Sequence, residues 1–271
     1  MIEAIGLEKT FKVPKNRGTK DRGEVADPRD QGKLFHALRG ISFKCEKGRV
    51  LGMVGPNGAG KTTTLRVLST ALKPTAGRIM IDGEDFSLFP NEIRRRIGFL
   101  SGTTGLYPRL TAREMVMYFG RLHRVPQAEL VERVDKLFDR FGMHGYANER
   151  NDRLSTGMKQ KVNIVRTLIH DPSILIFDEP TTGLDIMSVQ VLLEFIADSK
   201  RQQRTVIFST HSLHEVEELC DEVVVIDQGV SKFHGTVPEF KRLQGSQDLT
   251  QAFMKAIGAA APLDRLEGGA A

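Results

Sequence analysis

The run Gly55-Pro56-Asn57-Gly58-Ala59-Gly60-Lys61-Thr62 constrains the fold of this chain more than any other stretch. It matches G-x-x-x-x-G-K-[ST], the phosphate-binding loop, a pattern that works only between a strand and a helix. Both neighbours are present: Val50-Leu51-Gly52-Met53-Val54 precedes it as an apolar run, and Thr63-Thr64-Leu65-Arg66-Val67-Leu68 follows with no helix breaker. Three glycines let the backbone turn its N–H groups toward an anion, and the helix adds its positive N-terminal end. Lys61 places a full charge near the outer phosphates, and Thr62, followed by Thr63, offers a hydroxyl to Mg²⁺.

Such a loop needs an acidic partner for the metal. The strand-like run Ile174-Leu175-Ile176-Phe177 delivers Asp178-Glu179 at its C-terminal end, where open α/β sheets bind their ligands. Neighbouring residues leaving a strand point in different directions, so the pair can divide the work. Asp178 is expected on the Mg²⁺ shell and Glu179 as the base aimed at the attacking water.

Around these two motifs the chain reads as α/β. Ile2 to Phe11 is a short strand, and Pro14 to Lys33, with ten charges of mixed sign, three glycines and two prolines, reads as an exposed loop or hairpin extension. Leu38, Ile41 and Phe43 then lead to the strand feeding the phosphate loop, and Arg78 to Ile81 with Asp82-Gly83 reads as a strand closed by a hairpin turn. After a strand at Ile97 to Leu100 the character changes. Thr111-Ala112-Arg113-Glu114 is a capping box, with Met115, Tyr118, Phe119 and Leu122 at helical spacing and the aromatics expected in the core. Pro126 starts another helix, carrying Leu130, Val134, Leu137, Phe138 and Phe141 on one face. Thr111 to Ile169 is therefore a mostly helical block between strands. Thr205 to Ser209 is a further strand, Val189 to Lys200 a helix, Ser212 to Glu215 a second capping box, and Asp227-Gln228-Gly229 the turn of a hairpin. Past Gln244 only Leu249, Phe253 and Met254 stand out, and the Gly-Ala-rich end from Gly258 reads as a mobile tail.

Composition excludes some classes. No run of about 18 apolar residues occurs, and Met1-Ile2-Glu3-Ala4 shows no leader pattern, so neither a membrane span nor a secretion signal is expected. Cys45 and Cys220 are too few and too scattered for a disulfide framework or a metal site. A net charge of +5 is small for 271 residues and allows nucleotide, lipid headgroups or nucleic acid as anionic partners.

With these motifs in place the chain, from Ile2 to about Gln244, resembles the ATP-binding subunits of ABC transporters. Leu154-Ser155-Thr156-Gly157-Met158 looks like the family's LSGGQ signature; taken alone it is a serine-capped helix start, itself an anion site. Asp178-Glu179-Pro180-Thr181-Thr182-Gly183-Leu184-Asp185 resembles the Walker B and D-loop run, and His211 stands where the family has its switch histidine. Phe11 stands where the family has an aromatic that stacks on adenine, with Phe35 as the competitor. The resemblance implies an α/β P-loop NTPase core with a mixed sheet, an antiparallel β subdomain and an inserted helical subdomain. Residues 1–244 would form the ATP-binding domain, with a polar insert at 14–33 and the helical subdomain at about 103–170, and 245–271 an extension and tail. It also implies ATP and Mg²⁺ as ligands, with Gly55 to Thr63, Ser155, Gly157 and Asp185 around the nucleotide, Glu179 and His211 catalytic, and Thr62 and Asp178 on the metal. Two copies would sandwich two nucleotides, each signature facing the other copy's phosphates, and drive a separate permease at the cytoplasmic face of the membrane.

Two departures stand out. Thr156 and Met158 replace the usual Gly and Gln of the signature, leaving Ser155 and Gly157. In Ile97-Gly98-Phe99-Leu100-Ser101-Gly102-Thr103-Thr104-Gly105-Leu106-Tyr107, Gly102 stands in place of the glutamine that in relatives touches metal and water and relays to the permease; Ser101, Thr103 and Thr104 are the nearest polar substitutes. This variant looks like the Nat-type sodium exporters, which favours export. The competing reading is an ABC-type ATPase acting on nucleic acid or the ribosome. The single phosphate loop and the lack of long heptad runs argue against it.

Overall fold

Strand β3 (Val50–Val54) is buried along its whole length, as a central strand of a covered parallel sheet must be. A computed structural model describes residues 1–13, 27–86, 90–102 and 105–258. Residues 14–26 of the polar insert, Thr103, Thr104 and the expected mobile tail past residue 258 lie outside the described residues.

In chain order, β1 (Ile2–Lys12) and β2 (Leu34–Cys45) pair antiparallel from Ile2↔Cys45 to Lys12↔Leu34, so the polar insert is the connection of a long hairpin. After β3 come α1 (Lys61–Leu68), β4 (Ala76–Ile81), β5 (Glu84–Asp85), α2 (Pro90–Arg96) and β6 (Ile97–Leu100). The helical block follows as α3 (Ala112–Leu122), α4 (Gln127–Phe141) and α5 (Thr156–Leu168). Then come β7 (Ile174–Asp178), α6 (Ile186–Arg201), β8 (Thr205–Ser209), α7 (Leu213–Leu219), β9 (Glu222–Asp227), β10 (Val230–Thr236), α8 (Val237–Leu243) and α9 (Leu249–Ala256). One sheet has the order β2-β1-β4-β5 and the other β10-β9-β3-β8-β7-β6. β3 lies parallel to β8 and β9, and β7 parallel to β6 and β8, while β10 closes the edge antiparallel. This is the expected mixed core beside an antiparallel sheet.

The strand alternation sorts side chains into two cores. Leu175 and Phe177 of β7 and Val206 and Phe208 of β8 face the core shared with α3 to α6. Ile174, Ile176 and Ile207 face the core shared with α1 and the antiparallel sheet. A third cluster, Val54, Val223, Val225, Phe240, Leu249 and Ala252, packs α8 and α9 onto β9. The weak signal past Gln244 is thus a docked helix whose N-cap is Asp248, accepting from the Gln251 N–H.

The Thr111 capping box forms in full. The face of α3 differs from expectation: Ala112, Met115, Val116 and Gly120 are its buried residues, whereas Tyr118 and Leu122 are exposed. Gly120 sits against Leu130 of α4, and this close helix approach turns α3 so that Tyr118 points out. The second capping box forms only by half. Ser212 caps Glu215, but the Glu215 carboxylate accepts from the Thr210 hydroxyl at 2.6 Å, inside the fold, instead of returning to the cap.

Candidate functional site

The phosphate loop joins β3 to α1 with Gly60 at φ +116°, a conformation that disfavours any side chain. Gly55 is required for a different reason: a Cβ there would lie 2.1 Å from the Ile226 carbonyl oxygen. Lys61 is only 5 % exposed and donates to the carbonyls of Gly55 at 2.6 Å and Pro56 at 3.1 Å, folding its charge back over the loop. Burial lowers its pKa, while the nearby Glu179 and Asp178 act in the opposite direction.

The parallel register of β3, β8 and β7 brings the acidic pair beside the loop. Thr62 Oγ1 donates to Asp178 Oδ1 at 3.0 Å, and Ser209 Oγ donates to the same oxygen at 2.9 Å. A hydroxyl and a buried carboxylate are hard oxygen donors, and Mg²⁺ takes one or two such protein ligands together with phosphate oxygens and water. The pair therefore fits that ion without a larger acidic cluster. None is found among the described residues.

One residue on, Glu179 adopts φ +50°, the left-handed region that a non-glycine residue enters at a cost of roughly 1–2 kcal/mol. Its N–H is held by Ser209, by the hydroxyl at 3.0 Å and the carbonyl at 3.2 Å. From this turned backbone, Glu179 Oε1 lies 2.6 Å from Nε2 of His211. Such strain persists where surrounding contacts over-determine it, which is common at functional sites.

A cavity of about 480 Å³ opens here, lined by Asn57 to Thr63, Glu179, Ala37, Phe35 and Arg29. Phe11 does not line it. It pairs across the hairpin with Phe35, is 38 % exposed, and has the Lys9 ammonium over its ring at 5.4 Å. No sequence pattern marks Arg29, whose stretch reads as an exposed loop. It is 8 % exposed and donates to the Gly58 carbonyl at 2.5 Å. The only signal that could have found it is its nearness to Phe35 across a turn.

Ser155, Gly157 and Asp185 form a second group outside that lining. Ser155 is exposed and caps α5 by accepting from the Met158 N–H at 3.2 Å. A Cβ on Gly157 would lie 3.1 Å from the Gly183 carbonyl, and Gln160 donates to the Pro180 carbonyl at 3.0 Å, so the start of α5 rests on the loop after β7. Asp185 caps α6, accepting from the Ser188 N–H at 2.9 Å and hydroxyl at 2.6 Å, bonds that hold its carboxyl below the usual pKa. Directly after it, Ile186 and Met187 are 87 % and 74 % exposed. Among the described residues, a Cβ on Gly102 would meet only the Asp178 carbonyl, at 4.0 Å. Ser101 is buried, and Thr103 and Thr104 lie outside the described residues.

A phosphate loop whose threonine bonds a strand-end carboxylate, with a second carboxylate turned toward a histidine, defines a P-loop ATPase. The family model described as "ABC transporter" matches residues 38–182. Over 229 residues the chain is 46 % identical to the ABC transporter ATP-binding protein NatA of Bacillus subtilis (strain 168), covering 84 % of this chain and 93 % of that protein. A solved structure of an ATP-binding subunit of an ABC transporter matches with TM-score 0.79 at 27 % identity, covering 94 % of this chain and 98 % of the other. The dimeric ATP-binding cassette MJ0796 in a post-hydrolysis state, bound to ADP and Pi, shares the fold at TM-score 0.75 and 23 % identity, covering 87 % and 98 %. The chain belongs to the ABC transporter family, as an ATP-binding, ATP-hydrolysing subunit.

Proposed function

We propose that two copies of this chain sandwich two Mg-ATP molecules and drive a separate membrane permease, in an exporter of the Nat type. The observation that carries this reading is the division of the motif residues. Lys61, Thr62 and Glu179 line one cavity, whereas Ser155 and Asp185 stand on the surface outside its lining. The N-terminus of a 13-residue helix is an anion site, and Ile186 and Met187, directly after Asp185, are exposed apolar area suited to an interface. A second copy would bring its Ser155 and Gly157 to the phosphates held here. The MJ0796 cassette, which shares the fold, is dimeric, and this supports the pairing of two copies.

Within one site, Lys61 leaves the Gly55 and Pro56 carbonyls for the outer phosphates. Thr62 and Asp178 would hold Mg²⁺, which neutralises charge developing on the phosphoryl oxygens. Glu179 takes the proton of the attacking water, and His211 orients its carboxylate. Phe35, which lines the cavity, is assigned the adenine stack in place of Phe11. Among the described residues no helix is long and apolar enough to cross a membrane. The path across it is assigned to the permease, with this subunit on the cytoplasmic face.

Glu179→Gln keeps the shape of the side chain but cannot accept a proton, so ATP should remain bound and hold two chains together. Light scattering of this variant is expected to give a dimer with Mg-ATP and a monomer without nucleotide. A monomer under both conditions, with hydrolysis within about threefold of wild type, would refute both the base and the sandwich.

A further inference from the structure

The segment joining β1 to β2 reads in the sequence as solvated and mixed in charge, yet it carries Arg29 into the nucleotide cavity. All three guanidinium nitrogens of Arg29 are engaged. Nε and Nη2 fork onto the Asp27 carboxylate at 2.9 and 2.6 Å, and Nη1 donates to the Gly58 carbonyl at 2.5 Å. The Arg29 N–H also bonds Asp27 Oδ1 at 3.0 Å, so the turn that presents the side chain is itself fixed. The guanidinium carbon lies 5.0 Å from the centroid of the Phe35 ring, a cation–π contact made by a buried arginine.

We propose that Arg29 is a nucleotide-positioning residue, locking the glycine-rich phosphate loop to the Phe35 wall of the cavity so that both are in place before ATP arrives. The inference rests on the nucleotide reading of the cavity and adds a residue that none of the phosphate-site motifs contains. Gly58 has φ +76°, and among the described residues nothing lies within 4 Å of the position a Cβ would take, so the Arg29 bond to its carbonyl supplies a hold that side-chain packing at this point does not. A loop of this composition has many conformations to lose on binding, and a fixed donor at Gly58 removes part of that cost in advance. The device needs a planar fork. A lysine ammonium could satisfy Asp27 or Gly58, but it cannot do both while lying flat on the ring.

The test uses the full chain and steady-state hydrolysis of Mg-ATP by wild type, Arg29→Ala, Arg29→Lys and Lys61→Ala, with the thermal midpoint of each measured with and without ATP. Arg29→Ala is expected to raise KM for ATP about tenfold and to lower kcat at saturating ATP by less than about twofold, the pattern of lost preorganised binding. Arg29→Lys should follow it to within about threefold, because charge alone does not restore the fork. The nucleotide-induced rise in thermal midpoint should shrink in both, with the nucleotide-free midpoint within a few degrees of wild type. If Arg29→Ala does not fold, Arg29→Lys alone decides. A KM within twofold of wild type, or a loss confined to kcat, overturns the inference while Lys61→Ala still reports on the site. A wild-type chain that does not bind ATP overturns the nucleotide reading and the inference with it.

Discussion

The phosphate-loop core and the helical block that carries the signature are built in opposite ways. In the core every reactive group already has a partner in the same chain: Lys61 on two carbonyls, Asp178 under Thr62 and Ser209, Glu179 against His211. In the helical block Ser155 does no more among the described residues than cap α5, and the apolar Ile186 and Met187 at the start of α6 face solvent. One half is a closed network and the other an open surface. Under the two-copy sandwich proposed above, the outward-facing start of α5 is the part of the site that a second copy would complete.

The comparison is broken most severely at Glu179. Glu179→Gln is expected to cut turnover by about a thousandfold in the trapped dimer described above, the loss typical of a general base. A rate assay at saturating ATP checks it, and a fall of only severalfold would move the catalytic role out of the core.

The seam between the two regions offers a stability test. His170, just after α5, places Nε2 3.1 Å from the Ile97 carbonyl at the start of β6 and stacks on His123 with ring centroids 3.7 Å apart. Burial, with His123 and Arg133 nearby, pushes the His170 pKa down to about 4, against the weaker upward pull of the Ile97 carbonyl and Asp171. The folded pKa lies below the unfolded value of about 6.5, so the unfolded chain takes up the proton first as pH falls. Stability is therefore full above about pH 6.5 and is lost progressively toward pH 4, by on the order of 3 kcal/mol from this group. Urea unfolding at several pH values should show a shallower acid loss for His170→Gln than for wild type. Equal slopes would mean that this imidazole is not held neutral at the seam.

Gly102 should give the smallest effect. Among the described residues, only the Asp178 carbonyl lies near the position of a Cβ there, at 4.0 Å. Glycine at 102 offers no side chain to position the attacking water, so slow basal hydrolysis is expected, with the permease raising turnover. Gly102→Gln should change basal turnover by about threefold and reduce the permease-dependent increase. Equal rates with and without permease, together with a silent substitution, would remove this segment from both catalysis and coupling.

What could be read in the sequence was whatever depends on local pattern. The phosphate loop, Asp178-Glu179 and the Thr111 capping box carry their geometry in residue spacing, and they stand as expected between or beside their elements. What could not be read depends on tertiary contact. Arg29 is buried only because the β1–β2 hairpin carries it against Gly58, and no periodicity marks it. Glu215 has the right spacing to close a capping box but finds Thr210 instead. Tyr118 has core character by type, yet the approach of Gly120 to Leu130 turns it outward. For α9, the Asp248 cap was a usable signal that the few apolar residues after it did not reinforce.

The division of the site between two copies is tested most directly by mixing two inactive chains, Lys61→Ala and Ser155→Arg. In a heterodimer one site combines both lesions and the other joins an intact phosphate loop to an intact signature. An equal mixture should thus recover roughly a quarter of wild-type turnover, since half the pairs are mixed and each holds one intact site of two. Each variant alone should remain near background. A mixture no more active than its components, in a preparation where tethering the two chains guarantees the mixed pair, would contradict a signature that acts across the interface.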